Sequence, residues 1–389
     1  MKRHLFVTQD YAPDLGGMAR RHVELCRRFP SGDTMVSTVA SPAAAAFDAA
    51  EPYEIARERF GFAQAKVFTN QVRWAAHIVR ALDAGVGALH LGNIRPCGYA
   101  VMMARRMRSF PYVVYVNGGD LLREERKVGE QGIKRWSARD ILGQARGVIA
   151  NSTWTAELAR RVMRNSGVRV LPEVAAIDLG TDPHHFHPGR DRGELRRRLG
   201  IGDAPLLVTI ARLVPHKGQD TVIDALPLLD PSVHYLVVGD GEYREAFEAR
   251  ARERGVAQRV HFTGPLPDDE VAEAYATASV YVGMSRLHNG INVEGFGISF
   301  VEASASGVPV VAGDSGGVRS AVRDGETGLV VAEADAAELA ATVRGLLSNE
   351  ERRRVMGEAG RRAVESHYNW DRTARETLAF VERVTGVGA

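Results

Sequence analysis

At 389 residues the chain exceeds one ordinary hydrophobic core and suits two domains of average size. Its 45% hydrophobic and 25% charged residues are those of a globular protein, and a formal charge of +2 gives no case for a nucleic-acid polymer as partner. No apolar run reaches bilayer length, and Cys26 and Cys97, without CxxC or metal-ligand spacing, exclude a disulfide framework and read as buried thiols.

The first eight residues, MKRHLFVT, are too short for a signal peptide and read as a buried strand, so a cytoplasmic location is expected. Residues 4–9, 35–40, 66–70, 88–93, 112–117 and 147–151 are short β-branched runs that alternate with helical patterns, which predicts a parallel sheet wound with helices. The alternation stops in a segment rich in Gly, Pro, His and charge. It restarts with strands expected at 206–211, 235–239, 259–263, 280–284, 308–312 and 328–331. The expected division is an amino-terminal domain over 1–180, a linker over 181–200, a second domain over 201–368 and a final helix over 369–389. Ligands of open α/β sheets bind beyond the carboxyl ends of the strands, so the sequence predicts a site in a cleft between two facing domains.

Arginines gather in the first half, at Arg20, Arg21, Arg27, Arg28, Arg105, Arg106 and Arg108, and again around residues 123–135. Interleaved glutamates favour solvated helix faces. Contact with an anionic acceptor or with an acidic membrane surface is the sharper alternative, reinforced if Phe60, Phe62, Trp74 and Trp136 are exposed beside them.

The first expected strand runs into QDYAPDLGG, and Gly16 and Gly17 open a helix expected over residues 18–28. That turn either serves only the chain's path or brings amides to a nucleotide sugar's pyrophosphate or sugar. It is not a GxGxxG fingerprint, which disfavours a nicotinamide-dependent oxidoreductase. In the second half Arg212 and Lys217, within IARLVPHKG, place two cations past a strand, where they suit a departing nucleoside diphosphate; His216 between them reads as a passenger. Gly239 in GDG and Gly264 in FTG end strands in tight turns or let a flat base lie on the backbone. The richest stretch is NVEGFGISFVEASASGVPVV. Glu294, Gly295, Phe296, Gly297 and Ile298 lead into a helix expected over 298–306, whose amino end suits phosphate, and Glu302 inside it can accept from a ribose diol.

Taken in order, GG, RLxxxKG, GDG, FTG, EGFGxxxxEA, GVPVV and SGG resemble the GT-B retaining glycosyltransferases of family four, over nearly the whole chain. The resemblance implies two Rossmann-like doubly wound parallel-sheet domains, no metal or cofactor, and transfer of a hexose from a nucleotide diphosphate sugar, GDP-mannose or a UDP-hexose. The acceptor would be a hydroxyl of a lipid-linked, glycan or small-molecule partner. It further implies that Arg212 and Lys217 bind the diphosphate, Glu302 the ribose, and Glu294 with the backbone of residues 295–298 the donor sugar and phosphates. The last helix is expected to cross back onto the first domain. Where many relatives carry a catalytic-side histidine this chain has Asn117, which cannot act as a general base, and Asp120 is a second group for an acceptor hydroxyl. His22 stands roughly where relatives place a histidine on the first helix. The trio His184, His185 and His187 falls in the linker and is read against zinc. An epimerase or phosphorylase on the same scaffold, and a catalytically silent sugar-nucleotide binder, are the alternatives.

Overall fold

A computed structural model describes residues 3–13, 16–332 and 334–387; Asp14 and Leu15 of the glycine turn lie outside the described residues. The chain divides into two compact units, Met1–Ile177 with Trp370–Ala389, and Asp178–Asn369.

In the first unit the strands are β1 (Arg3–Val7), β2 (Thr34–Thr38), β3 (Glu54–Arg57), β4 (Val86–Leu91), β5 (Tyr112–Val116), β6 (Gly147–Ala150) and β7 (Glu173–Ala176). They form a parallel sheet in the order β3-β2-β1-β4-β5-β6-β7. Alternation along a strand gives the sheet two buried faces. Leu5, Val7, Leu89, Leu91 and Val114 face helices Phe68–Asp83 and Cys97–Met107. Phe6, Ala88, Val113, Tyr115 and Ile149 face helices Gly17–Arg28 and Trp370–Thr385. The last helix lays Phe380 over Gly147, where no side chain would fit, and Asp371 accepts from Arg28 at 2.6 Å.

Two sequence expectations are corrected in this unit. Residues 66–70 are not a strand but the junction of a short 3₁₀ turn (Phe62–Lys66) and the helix Phe68–Asp83. The real β3 lies earlier and is partly exposed at the sheet edge. Trp74 and Phe60, candidates for an exposed membrane face, are buried against each other at 5.6 Å, and the Trp74 indole donates to Ser37 Oγ at 2.8 Å. Burying a ring of this size contributes about 2–3 kcal/mol, which membrane contact could not exceed while leaving the core intact.

The second unit has β8 (Leu206–Ile210), β9 (His234–Val238), β10 (Val260–Gly264), β11 (Val280–Gly283), β12 (Val310–Gly313) and β13 (Gly328–Val331), parallel in the order β10-β9-β8-β11-β12-β13. Each order reverses once, between β1 and β4 and between β8 and β11, and loops leaving both strands diverge there to open a crevice. Among the described residues no helix is long and apolar enough to cross a membrane.

Candidate functional site

The cluster in the second unit is assembled at its switch point. After β8 the chain makes a 3₁₀ turn (Pro215–Lys217) and enters the helix Gln219–Ala225 through Gly218, at φ 73°. A Cβ at Gly218 would collide with the Met284 carbonyl, so only glycine lets this turn lie against the exit of β11. That approach sets Lys217 Nζ 2.5 Å from Glu294 Oε2, in a pair joining residues 77 positions apart. Ser285 Oγ lies 3.5 Å from the same oxygen. From behind, Gly317 N–H donates to the Glu294 carbonyl at 2.8 Å, and Gly316 packs so tightly there that a Cβ would clash.

Burial pushes the Glu294 carboxyl upward. The Lys217 ammonium, His216 and the Phe296 amide outweigh it and hold the group below the usual carboxylate range. His216 is pushed down to about 4 by burial and by the charges of Lys217 and Arg212, Glu294 opposing, so it is neutral at pH 7. Arg212, Lys217, His216 and Glu294 thus share one electrostatic neighbourhood. Arg212 is exposed, while its carbonyl accepts from Gln219 Nε2 at 3.0 Å.

Gly297, at φ 98°, caps the helix Ile298–Ala305, whose first amides have no intrahelical acceptor. The Phe296 side chain is buried and packs near Tyr368, so what this residue offers a ligand is backbone. Glu302 is buried on the same helix and accepts from the Tyr275 hydroxyl at 2.6 Å. Gly239 and Gly264 take up left-handed backbone, and Gly239 N–H donates to the Gly264 carbonyl at 2.9 Å. That amide is spent internally, which leaves these two glycines a steric role as a flat wall.

Sequence reasoning missed the residues that hold the cluster. Arg286 donates bidentately to Asp220, at 3.0 and 2.7 Å, and its amide donates to the His216 carbonyl at 3.0 Å, clamping the turn that carries Lys217. A lone arginine after a strand carries no such signal, nor does the buried tyrosine that orients Glu302.

In the first unit Gly16, at φ 152°, precedes the helix that starts at Gly17. Asn117 follows β5 and stands at the N-cap of the helix Gly118–Glu130. Its amide accepts from Asn151 at 3.3 Å and stands 3.5 Å from Asp120, which accepts from Arg123 at 2.5 Å. Asn117 and Asp120 are therefore neighbours. His22 is buried with its ring edge-on to Tyr115. Of the linker histidines, His185 packs on Phe186, and among the described residues no group of three metal-ligating side chains forms.

Two parallel α/β units, each presenting polar loops at the carboxyl ends of its strands, with a glycine-capped helix and cation–carboxylate cluster in the second, are the architecture of the GT-B fold. Solved structures agree: the Anabaena protein HepE in complex with UDP and glucose superposes with a TM-score of 0.81 at 20% identity, covering 98% of this chain and 100% of that one. Sucrose-phosphate synthase from Thermosynechococcus elongatus gives 0.80 at 21%, covering both chains fully. Residues 15–174 match the family model Glycosyltransferase Family 4 and residues 191–363 the model Glycosyl transferases group 1, and the chain belongs to this family. Among curated proteins it is 38% identical over 252 residues to the GDP-mannose-dependent alpha-(1-6)-phosphatidylinositol monomannoside mannosyltransferase of Mycolicibacterium smegmatis, covering 63% of this chain and 66% of that protein. It is 34% identical to the D-inositol 3-phosphate glycosyltransferase of Geodermatophilus obscurus, covering 61% and 53%. The matches thus span about half to two thirds of the length of these relatives.

Proposed function

We propose that the protein transfers a hexose from a nucleotide diphosphate sugar, with GDP-mannose favoured over a UDP-hexose, to a hydroxyl of a lipid-linked or small-molecule acceptor, with retention of configuration and without a metal. The observation that carries this reading is the Lys217–Glu294 pair beside Arg212 and the amino end of the helix Ile298–Ala305. Cations and helix amides at that place stabilise the charge a nucleoside diphosphate gains as it leaves. Glu302, oriented by Tyr275, suits the ribose diol, and Glu294 suits hydroxyls of the transferred sugar. The preference for GDP-mannose rests on relatives named as GDP-mannose-dependent.

In the step itself the bond between sugar C1 and the phosphate oxygen breaks and a bond from C1 to the acceptor oxygen forms on the same face. The acceptor's proton passes to the departing phosphate, since the Asn117 amide is no base near neutral pH. Asn117 and Asp120 hold the acceptor hydroxyl. Peripheral membrane contact belongs to the same reading: Phe62, Val67, Phe68 and Val72 stand exposed around Lys66, and Arg106 lies over the exposed Trp136 ring at 5.5 Å.

The test is to incubate the protein with GDP-mannose, UDP-glucose and UDP-N-acetylglucosamine, each with phosphatidylinositol and inositol phosphates, and to read the product's anomeric coupling by NMR. An α-linked product supports the reading. A free epimerised sugar nucleotide, a sugar phosphate made from inorganic phosphate, or an inverted linkage contradicts it.

A further inference from the structure

Arg21 is the most unusual charged residue of the first unit. It lies in the second turn of the helix Gly17–Arg28 and is 2% exposed, yet among the described residues none of its three guanidinium nitrogens has a hydrogen-bond partner. Five N–H donors in a rigid fork, taken from water and left unsatisfied, cost more free energy than almost any other buried group. Burial pulls its pKa down to about 10, against Tyr115, Asp120 and Asp10, so the group is still charged at pH 7. The Tyr115 ring lies beside it, with the guanidinium carbon 4.8 Å from the centroid. Contact with a ring face offsets part of that cost and satisfies no N–H.

The position of this head in the fold is specific. The charges it feels come from Asp10, which follows β1, and Asp120, which follows β5, and β4 runs between those two strands. Arg21 therefore sits at the switch point of the first sheet, where the strand order reverses and open α/β sheets take their ligands. Neither carboxylate closes on it: Asp10 accepts from Asn93 Nδ2 at 2.5 Å, and Asp120 accepts from Arg123. Asn93 is itself tied to Thr8 Oγ1 at 2.9 Å and to the Gln9 amide at 3.1 Å, so this rim is built. A guanidinium that feels both carboxylates, each of which is held by an amide, Asn93 at Asp10 and Asn117 at Asp120, matches one oxyanion carried among several hydroxyls.

We propose that Arg21 is the oxyanion receptor of the amino-terminal unit and takes the phosphate ester of a polyhydroxylated acceptor, whose hydroxyls fall to Asp10, Asp120 and the flanking amides. This rests on the transferase reading for the role of the ligand, and on the unpartnered guanidinium for its chemistry. A fork pairs bidentately with phosphate, and the long arginine stem lets the head turn from the tyrosine ring toward the loops as the ligand enters. Lysine would give the charge without the fork.

A structural arginine and a receptor arginine respond oppositely to Arg21→Met, which keeps the stem and removes the unsatisfied head. All four tryptophans lie in the first unit, so their fluorescence follows its unfolding specifically. The binding probes are D-inositol 3-phosphate, inositol, and vesicles with and without phosphatidylinositol, each titrated into protein saturated with GDP so that phosphate contacts in the second unit are filled. The expected result is that Arg21→Met melts at or above the wild-type temperature and binds GDP normally, while binding the phosphorylated probe about 10- to 100-fold more weakly. Arg21→Lys should fall between, and inositol binding should be unaffected. A response to the soluble phosphate points to a free acceptor and a response only to vesicles to a lipid; both support the receptor. Wild-type affinity in Arg21→Met, no binding of any phosphorylated probe by the wild type, or a first unit that melts well below wild type would overturn it. Failure of GDP to bind at all would instead count against the transferase reading, and phosphate binding without nucleotide would still decide the role of Arg21.

Discussion

Replacing Lys217 by Met separates what its ion pair does for stability from what it does for binding. The two side chains are 21% and 13% exposed, so the pair lies between surface pairs, worth under about 1 kcal/mol, and buried ones, whose rupture costs about 3–5 kcal/mol. A loss of about 2–3 kcal/mol follows, or roughly 5–10 °C in the midpoint of a domain of this size. The sign with pH is definite. In the wild type the Glu294 carboxyl titrates below its ordinary 4.5, so its contribution is full above that value and is lost as pH falls through the folded one. In Lys217→Met burial is no longer outweighed by its main opponent and the carboxyl rises, so the variant is weakest near pH 7 and partly recovers toward pH 5. Loss of a charged contact to the diphosphate should cost about 2–4 kcal/mol, or roughly 100-fold in affinity. The second change Glu294→Gln removes the stranded charge and should restore the melting temperature without restoring binding. Calorimetric melting and titration with GDP or UDP read both quantities, since the second unit holds no tryptophan. Wild-type affinity in Lys217→Met, or binding rescued in the double variant, would refute the assignment of Lys217 to phosphate.

Gly218→Ala should destabilise by well over 2 kcal/mol because the new methyl meets the Met284 carbonyl, whereas Gly200→Ala, at φ 68° in open space, should cost only about 1 kcal/mol; denaturant unfolding compares them. Tyr275→Phe removes the hydroxyl that donates to Glu302 and should weaken nucleoside diphosphate binding about 10-fold while leaving inorganic pyrophosphate binding unchanged; equal losses for both would remove Glu302 from the ribose. His4, His22 and His90 are held below 6.5, first of all by burial, so the unfolded chain binds protons before the folded one does. The stability they confer is therefore present above pH 6.5 and lost below it, at up to about 1.4 kcal/mol per pH unit for each proton. Tryptophan-monitored unfolding at pH 7.5 and 5.5 should show this acid loss, reduced in His90→Gln; a flat profile would contradict it.

Interior strands were legible because they are short and apolar on both faces, as 206–211 against the observed Leu206–Ile210 shows. The edge strands of the first sheet were not: EIAR of β3 and EVAA of β7 are partly exposed and carry no apolar run, whereas β10 and β13 at the edges of the second sheet fall where 259–263 and 328–331 were expected. KVFTN misled for the opposite reason. Its branched and aromatic residues sit at a helix start with Val67 and Phe68 exposed, and the buried stripe of Trp74, Ile78 and Leu82 emerges only further along. In the second unit the site was legible where glycine and charge share a loop, as at Lys217–Gly218 and Glu294–Gly297. Groups that act through another side chain, Arg286 through Asp220 and Tyr275 through Glu302, come from distant parts of the chain, and spacing along one sequence cannot register them. Arg21 was read as one of a run of basic residues, and only burial sets it apart from Arg20, Arg27 and Arg28.

Metal-free calorimetric titration of the wild-type protein with GDP, UDP and their sugars tests the central claim most directly. Saturable binding of one nucleotide class at one site per chain, weakened by Lys217→Met and by Glu302→Gln, is the expected result. No binding of any nucleoside diphosphate, or affinity indifferent to both substitutions, would contradict the assignment of the second unit's switch-point cluster to the donor.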